Sequence, residues 1–200
     1  RVEEAMAQYE ESLRLDPDYA SAHYNLGIAL AERGDAAEAT KHYREALRVT
    51  PEDPSVHTNL GIELYRLGKV DEAMEHYTKA LEFDSDFENA HIHLGIALAK
   101  IEKIPDAIAH YTEALRINPA SAEAHNNLGG ELLNQGKTDE ALEHLSAALD
   151  LNPNLAEAHS NMGVLLIQKG KIEAAISNFR EALRSNPNFS SAEANLKKAE

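Results

Sequence analysis

Residues 23–34 read HYNLGIALAERG, and residues 57–68 read HTNLGIELYRLG. The shared pattern, His-x-x-Leu-Gly-x-x-Leu, occurs five times at a spacing of 34 residues, with Met162 once in place of the first leucine. Its glycines are Gly27, Gly61, Gly95, Gly129 and Gly163. Self-similarity at a fixed spacing of this length indicates a fold built from repeated units.

Each unit is predicted to contain two helices, which we call helix A and helix B. In the first full unit they run from Ala20 to Arg33 and from Ala36 to Val49, because apolar residues recur there at spacings of three and four. Gly34 suits the left-handed backbone that often ends a helix, and Pro51 prevents helix B from continuing. One helix pair cannot bury its apolar face alone, so neighbouring units are expected to stack.

The repeat divides the 200 residues into a single predicted all-α solenoid of 12 helices. Full units are predicted at 20–53, 54–87, 88–121, 122–155 and 156–189, with a lone helix B at 1–19 and a capping helix A at 190–200. The unit at 88–121 is irregular, because Glu102 replaces the turn glycine and Pro105 is added. We therefore expect a tight hairpin at 99–105 with a different cap.

Composition excludes several classes of function. The chain has no cysteine, which excludes disulfides, thiolate metal sites and a cysteine nucleophile. A net charge of −15 argues against nucleic acid and anionic membranes as partners. No apolar run reaches the roughly 20 residues of a membrane helix. A soluble protein is predicted, with a cytoplasmic location favoured.

These units resemble the tetratricopeptide repeat (TPR) family over essentially the whole chain. The resemblance rests on the 34-residue period, the Leu-Gly pair, the Ala-x-x-x-aromatic-x-x-Ala pattern at Ala39, Tyr43 and Ala46, and the closing proline. Histidine stands where the family often has tryptophan. The resemblance implies a right-handed superhelix whose A helices line a concave groove, and a role in protein interaction rather than catalysis.

One side of helix A carries an unusual set of residues. With each unit numbered from its first residue, positions 2, 6, 9 and 13 lie opposite the packing face of positions 4, 7, 8 and 11, since each residue advances 100°. We call positions 6 and 9 the A-helix stripe. Position 6 carries amides or histidine and position 9 mostly branched apolar residues. The members are Asn25, Asn59, His93, Asn127, Asn161, Asn195, Ile28, Ile62, Ile96, Gly130 and Val164.

Water alone gives no reason for this pattern, because asparagine is a mediocre helix former. An asparagine amide offers both donor and acceptor, as a peptide unit does, so the stripe is predicted to bind an extended polypeptide by its backbone. It is similar to the asparagine-lined superhelix of the O-GlcNAc transferase TPR region, which presents substrate proteins. The alternative interpretation is that these asparagines hydrogen-bond across to the neighbouring helix.

Cations are scarce on this side of the helices. Positions 5 and 9 carry no lysine or arginine in the five units, which argues against the TPR grooves that capture a chaperone's C-terminal carboxylate. Arg66 and Lys100, both at position 13, are the cations at the edge of the stripe. They are predicted to favour an acidic partner segment locally or to remain solvated.

Ten histidines raise the question of a metal site. Equivalent residues of stacked units are expected about 10 Å apart or more, since packed helices lie about 8–10 Å apart. That is too far for shared coordination, so no metal and no cofactor are predicted. Each histidine is expected to pack and to make one hydrogen bond. The carboxylates form a solvated coat, and no catalytic constellation or phosphate-binding glycine loop is present, so an enzyme is not predicted.

Two other functions stay open. The chain could be a scaffold that self-associates end to end, because a bare helix B at the N-terminal edge places Val2, Met6 and Leu13 where no helix precedes them. It could also be the substrate-targeting region of a larger enzyme such as a glycosyltransferase. The predicted partner is in every case a protein or an extended peptide.

Overall fold

The computed structural model describes residues 2–200, and the regular secondary structure of that part of the chain is entirely α-helix. The twelve helices predicted from the repeat are present. They are α1 (Val2–Leu15), α2 (Ala20–Glu32), α3 (Ala36–Val49), α4 (Pro54–Arg66), α5 (Val70–Phe83), α6 (Glu88–Lys100), α7 (Ile104–Ile117), α8 (Ala122–Asn134), α9 (Thr138–Leu151), α10 (Ala156–Gln168), α11 (Ile172–Ser185) and α12 (Ser190–Ala199). Within residues 2–200 no helix is long and apolar enough to cross a membrane.

The helices form two compact units, one ending at Lys103 and the other beginning at Ile104. In the first, α2 packs on α3 and α4 packs on α5, and each later A helix also contacts the B helix before it. The second unit repeats this arrangement with α8 on α9 and α10 on α11. The single solenoid with the unit boundaries given above stays a prediction.

Small residues let helices A and B of one repeat approach closely. A Cβ added to Gly27 would lie 2.5 Å from Cε1 of Tyr43, so the tyrosine ring occupies the space that a side chain would need. Tyr43 is buried between Ala39 and Ala46, neither of which is exposed at all. The Leu-Gly and Ala-x-x-x-aromatic-x-x-Ala patterns are thus two halves of one contact.

The turns between A and B helices adopt the left-handed conformation predicted for their glycines. The φ angle of Gly34 is +89°, and three equivalent glycines have similar values. Glu102 takes this conformation in the irregular unit, with φ of +61°, and Lys103 N–H donates to Leu98 at 3.0 Å. Pro105 is the second residue of α7, where a missing N–H costs no helical hydrogen bond.

The N-terminal edge is less apolar than the sequence predicted. Met6 is buried and its sulfur lies 3.9 Å from Nη1 of Arg33, because α2 covers this face of α1. Leu13 is half-buried, while Val2 remains exposed. The prediction that Met6 would be exposed was therefore wrong.

Candidate functional site

The A-helix stripe is half-buried along its whole length. Every member in both compact units lies between the buried core and the exposed surface, whereas Arg66 and Lys100 are exposed. The residues of the packing face, such as His23, Leu26 and Leu30, are buried. The stripe therefore lies at the border between the core and the accessible face of the A helices.

In the first compact unit one stripe amide bonds to the preceding repeat. Asn59 Nδ2 donates to the Tyr24 hydroxyl at 3.1 Å. Burial raises the pKa of Tyr24, with a further contribution from the charge of Asp53. Tyr24 stands at position 5, outside the predicted stripe of positions 6 and 9. The Asn25 amide makes no hydrogen bond within residues 2–200.

In the second compact unit the amides form a chain. Asn161 Nδ2 donates to Asn126 Oδ1 at 2.9 Å, and Asn126 Nδ2 donates to Asn127 Oδ1 at 3.2 Å. Asn127 Nδ2 is buried and has no hydrogen-bond partner within the described residues. Gly130 makes room for this chain, since a Cβ there would lie 3.3 Å from Asn161 Nδ2. Hydrogen bonds between and within repeats therefore use some of the amide donors and acceptors of the stripe and leave others unpaired.

His93 replaces the amide at the middle of the stripe and behaves as a neutral aromatic residue. Its ring stacks on Tyr77, with centroids 5.8 Å apart and an angle of 21° between the planes. Burial, together with the positive charge of Arg66, lowers the pKa of His93 to about 4. At neutral pH this position therefore carries no charge.

A small cavity opens beside the stripe between α2 and α4. Its volume is about 270 Å³, and Ile28, Asn59 and Ile62 lie in its wall. Glu63 also lines it; the residue is only 2% exposed, and its Oε1 accepts from Arg66 Nη1 at 2.8 Å. Glu63 Oε2 is buried without a partner in the described part of the chain. The volume lies just below the roughly 300–1,000 Å³ of sites for drug-sized ligands, so it suits one side chain.

Glu63 was not predicted as a site residue. Part of the signal is in the sequence, because position 10 carries buried apolar residues at Ala29, Ala97 and Leu165. Glu131 occupies the same position in the repeat at 122–155 and is only half-buried, so position 10 alone does not predict a buried carboxylate.

A second recurrent arrangement lies between helices A and B of one repeat. The histidines at positions 4 and 23 face each other through their Nδ1 atoms. The distances are 3.0 Å for His23 and His42, 2.9 Å for His57 and His76, and 2.9 Å for His125 and His144. In the last repeat His159 Nδ1 lies 3.0 Å from Asn178 Oδ1 instead.

These pairs revise the expectation of one hydrogen bond for each histidine. His57 makes two, because its Nε2 also lies 3.0 Å from the Pro51 carbonyl oxygen. A carbonyl only accepts, so Nε2 of His57 carries the proton and Nδ1 of the neutral ring is an acceptor. His76 must then donate from its own Nδ1. The two histidines of each pair belong to one repeat, whereas the expected separation of about 10 Å applies to equivalent residues of stacked repeats.

Family models match most of the chain. The TPR repeat model matches residues 1–34, 97–130 and 131–170. Tetratricopeptide repeat models match residues 18–86 and 156–189. The chain therefore belongs to the tetratricopeptide repeat family, whose members are typically protein-interaction modules. No curated protein matches it significantly in sequence.

Solved structures share the fold at low sequence identity. The chain is 24% identical to a chain of the APC/C hetero-tetramer Cut9-Hcn1, with a TM-score of 0.89. The match covers 100% of this chain and 39% of that chain. It is 24% identical to YrrB, described as a TPR protein with an unusual peptide-binding site, with a TM-score of 0.64 and coverage of 94% of this chain and 97% of YrrB. MamA from Desulfovibrio magneticus RS-1 is 24% identical, with a TM-score of 0.68 and coverage of 86% and 97%.

Proposed function

We propose that the chain is a non-catalytic module that binds an extended polypeptide along the A-helix stripe. The observation that carries the proposal is the unfinished hydrogen bonding of the stripe amides, which lie at the border of the core. Asn127 Nδ2 is a buried donor without an acceptor. An unsatisfied buried donor costs about 1–3 kcal/mol, and a peptide carbonyl reached after a small rotation of this side chain would remove that cost.

The amides keep capacity for a partner after their bonds to the scaffold. A primary amide has two N–H donors and an oxygen with two lone pairs. Asn59 and Asn161 each donate one N–H to the preceding repeat, and their side-chain oxygens accept no hydrogen bond within residues 2–200. A peptide backbone offers donors and acceptors of matching kind, so recognition would depend little on the partner's sequence.

The apolar half of the stripe supplies the area that amides lack. Ile28 and Ile62 flank the 270 Å³ cavity, which would accept a partner side chain beside a backbone held by Asn59. A net gain of about 0.5–1.5 kcal/mol for each amide contact, set against the ordering of a flexible peptide, leads us to expect micromolar affinity. Similarity to the asparagine-lined region of O-GlcNAc transferase belongs to this proposal.

The experiment removes the amides while keeping the helices. Peptides that bind the wild-type chain are selected from a random 15-residue display library, and their affinities are measured by calorimetry. Replacing Asn25, Asn59, Asn127 and Asn161 with alanine should weaken binding at least ten-fold. The control replaces the exposed Asn154 and Asn188 with alanine and should change nothing. Equal affinity of the fourfold variant and the control variant would refute the backbone-binding proposal.

Self-association through the N-terminal edge is the second candidate function. It is supported by the exposure of Val2 and by Leu15, which is 72% exposed. Light scattering over a range of concentrations tests it, and a mass that stays at one chain throughout would exclude it. A role as the substrate-targeting region of a larger enzyme is a third proposal, which purification of the intact gene product would test.

A further inference from the structure

A cavity of about 690 Å³ lies between α7, α8 and α9 of the second compact unit, away from the A-helix stripe. His125, His144 and Glu140 line it, together with Arg116 and Lys137. Arg116 is already paired with Glu113 at 2.7 Å. The cavity therefore gives solvent access to two imidazoles and a carboxylate, which are common ligands of transition metal ions.

His125 has the tautomer and orientation that a metal ligand requires. His125 Nδ1 lies 2.9 Å from His144 Nδ1, and His125 Nε2 lies 3.2 Å from the Pro119 carbonyl oxygen. Metal-bound histidines usually donate their other ring N–H to a carbonyl or carboxylate, which fixes the tautomer. The Pro119 carbonyl does this for His125, so the lone pair of Nδ1 points at its partner ring.

Glu140 is suited to be the third ligand. It stands one helical turn before His144 on α9, and side chains four residues apart lie on one face. Its carboxylate makes no ion pair within residues 2–200. The equivalent Glu38 is paired with Lys41 at 2.7 Å, and Glu72 lies 3.0 Å from Lys69.

The last full repeat, residues 156–189, lacks both the B-helix histidine and the carboxylate four residues before it. Asn178 replaces the histidine at position 23, and Ala174 replaces the carboxylate at position 19. Asn178 still bonds to His159 Nδ1 at 3.0 Å, so the link between helices A and B does not need a second imidazole. Where the imidazole is absent, the neighbouring carboxylate is absent too, as expected if the two share a ligand.

We propose that Nδ1 of His125, Nδ1 of His144 and the Glu140 carboxylate bind a divalent transition metal ion, of which Zn²⁺ fits the ligand set best. Two histidines and one glutamate with an open fourth position form a known zinc environment. Two nitrogens at 2.0–2.1 Å from a tetrahedral zinc ion are about 3.3–3.4 Å apart. The rings must therefore separate by about 0.4 Å from their present distance.

Binding requires two further local changes. His144 moves its ring proton from Nδ1 to Nε2 through solvent, so the pair releases no net proton. Glu140 changes rotamer to reach the ion, since no three histidine or carboxylate side chains within residues 2–200 already surround one point. Neither change alters the backbone of α9.

The test isolates this site by using asparagine, the residue that the last repeat carries at position 23. A reference chain with His42→Asn, His76→Asn and His110→Asn keeps one B-helix histidine. After removal of any affinity tag, Zn²⁺ binding is measured by competition with a chromophoric chelator. We expect one ion per chain. Adding His144→Asn should weaken binding by more than the roughly 10–100-fold that loss of an outer-shell partner costs. Adding Glu140→Ala to the reference chain instead should give an intermediate loss.

A gain-of-function variant keeps the proposal falsifiable if a substitution disturbs folding. Ala174→Glu with Asn178→His, introduced into the reference chain carrying His144→Asn, should restore binding of one ion. Circular dichroism confirms the helix content of each variant. Zn²⁺ affinity unchanged by His144→Asn, or a folded reference chain that binds no Zn²⁺, would overturn the assignment.

Discussion

His57 and His76 face each other with 2.9 Å between their Nδ1 atoms, and one proton lies between them. The Pro51 carbonyl fixes Nε2 of His57 as a donor, so His76 is the donor within the pair. If both rings were protonated, the Nδ1–H groups of His57 and His76 would point at each other and repel. The pair is therefore stable when both rings are neutral and tolerates at most one added proton.

The first prediction concerns acid. Burial lowers the pKa of His76 to about 4, and the pKa of His93 is lowered to the same value. The unfolded chain takes up these protons near pH 6.5, so stability is complete above pH 6.5 and falls as the pH drops towards 4. The loss should be roughly a few kcal/mol, because one pKa unit corresponds to about 1.4 kcal/mol and solvent screening reduces the contribution of the half-buried His76.

Urea unfolding at pH 7.5, 5.5 and 4.5 measures this loss. His76→Asn keeps an acceptor or donor for His57 but does not titrate, as Asn178 does for His159. The difference in unfolding free energy between pH 7.5 and 4.5 should be smaller in this variant than in the wild type. Parallel pH profiles would show that the histidine pair does not contribute.

The second prediction concerns the contact between helices A and B. Gly27→Ala would place a methyl group 2.5 Å from Cε1 and 2.7 Å from Cδ1 of Tyr43, so the buried ring would have to shift. We expect a loss of about 1–3 kcal/mol, which is typical of overpacking.

Gly130→Ala is the matched control for Gly27→Ala. Its nearest neighbour is Asn161 Nδ2 at 3.3 Å, an amide that can shift. The helix preference of alanine over glycine, about 1 kcal/mol, should make this variant neutral or more stable. Similar thermal shifts in the two variants would contradict the packing account.

A third prediction concerns the turn at Glu102. Its left-handed backbone costs a residue with a side chain about 1–2 kcal/mol, and glycine avoids that cost. Glu102→Gly should raise the unfolding free energy by about 1 kcal/mol. The reverse substitution, Gly136→Glu, should lower it by a comparable amount. Chemical denaturation checks both, and a loss of stability in Glu102→Gly would contradict the argument.

A fourth prediction concerns the charge around His93. Arg66 lowers the pKa of His93, and it also neutralises one oxygen of Glu63. Arg66→Ala removes the cation that repels protonated His93 and leaves the buried Glu63 carboxylate without its partner. Both changes favour the protonated form of His93. The pKa of His93, measured by NMR titration, should rise. Lys100→Ala serves as the control, and an equal pKa in the wild type and Arg66→Ala would refute this cause.

Sequence alone was enough for the helices, because they follow from spacing. Gly34 and Pro51 end helices for reasons of backbone conformation that do not depend on neighbours. The contact of Gly27 with Tyr43 was implied by two small-residue patterns. Such features recur in most of the repeats, so the same prediction is supported several times within one sequence.

The details of the candidate sites could not be obtained in the same way. Whether Asn59 donates to Tyr24, or Asn161 to Asn126, depends on the rotation between successive A helices. The approach of His125 to His144 depends on the crossing of α8 and α9. Glu63 could have been noticed as a charge at a packed position, but its unpartnered oxygen required coordinates.

The bond from the Pro51 carbonyl to His57 joins residues six apart on either side of a repeat boundary. Pro17 and His23 are joined in the same way. If residues 20–53 are deleted, the Pro17 carbonyl comes to lie six residues before His57, and the lost acceptor is replaced by an equivalent one. The chain can thus be shortened or lengthened in steps of one repeat without leaving an imidazole unsatisfied, which suits a gene that evolves by duplicating its own segments.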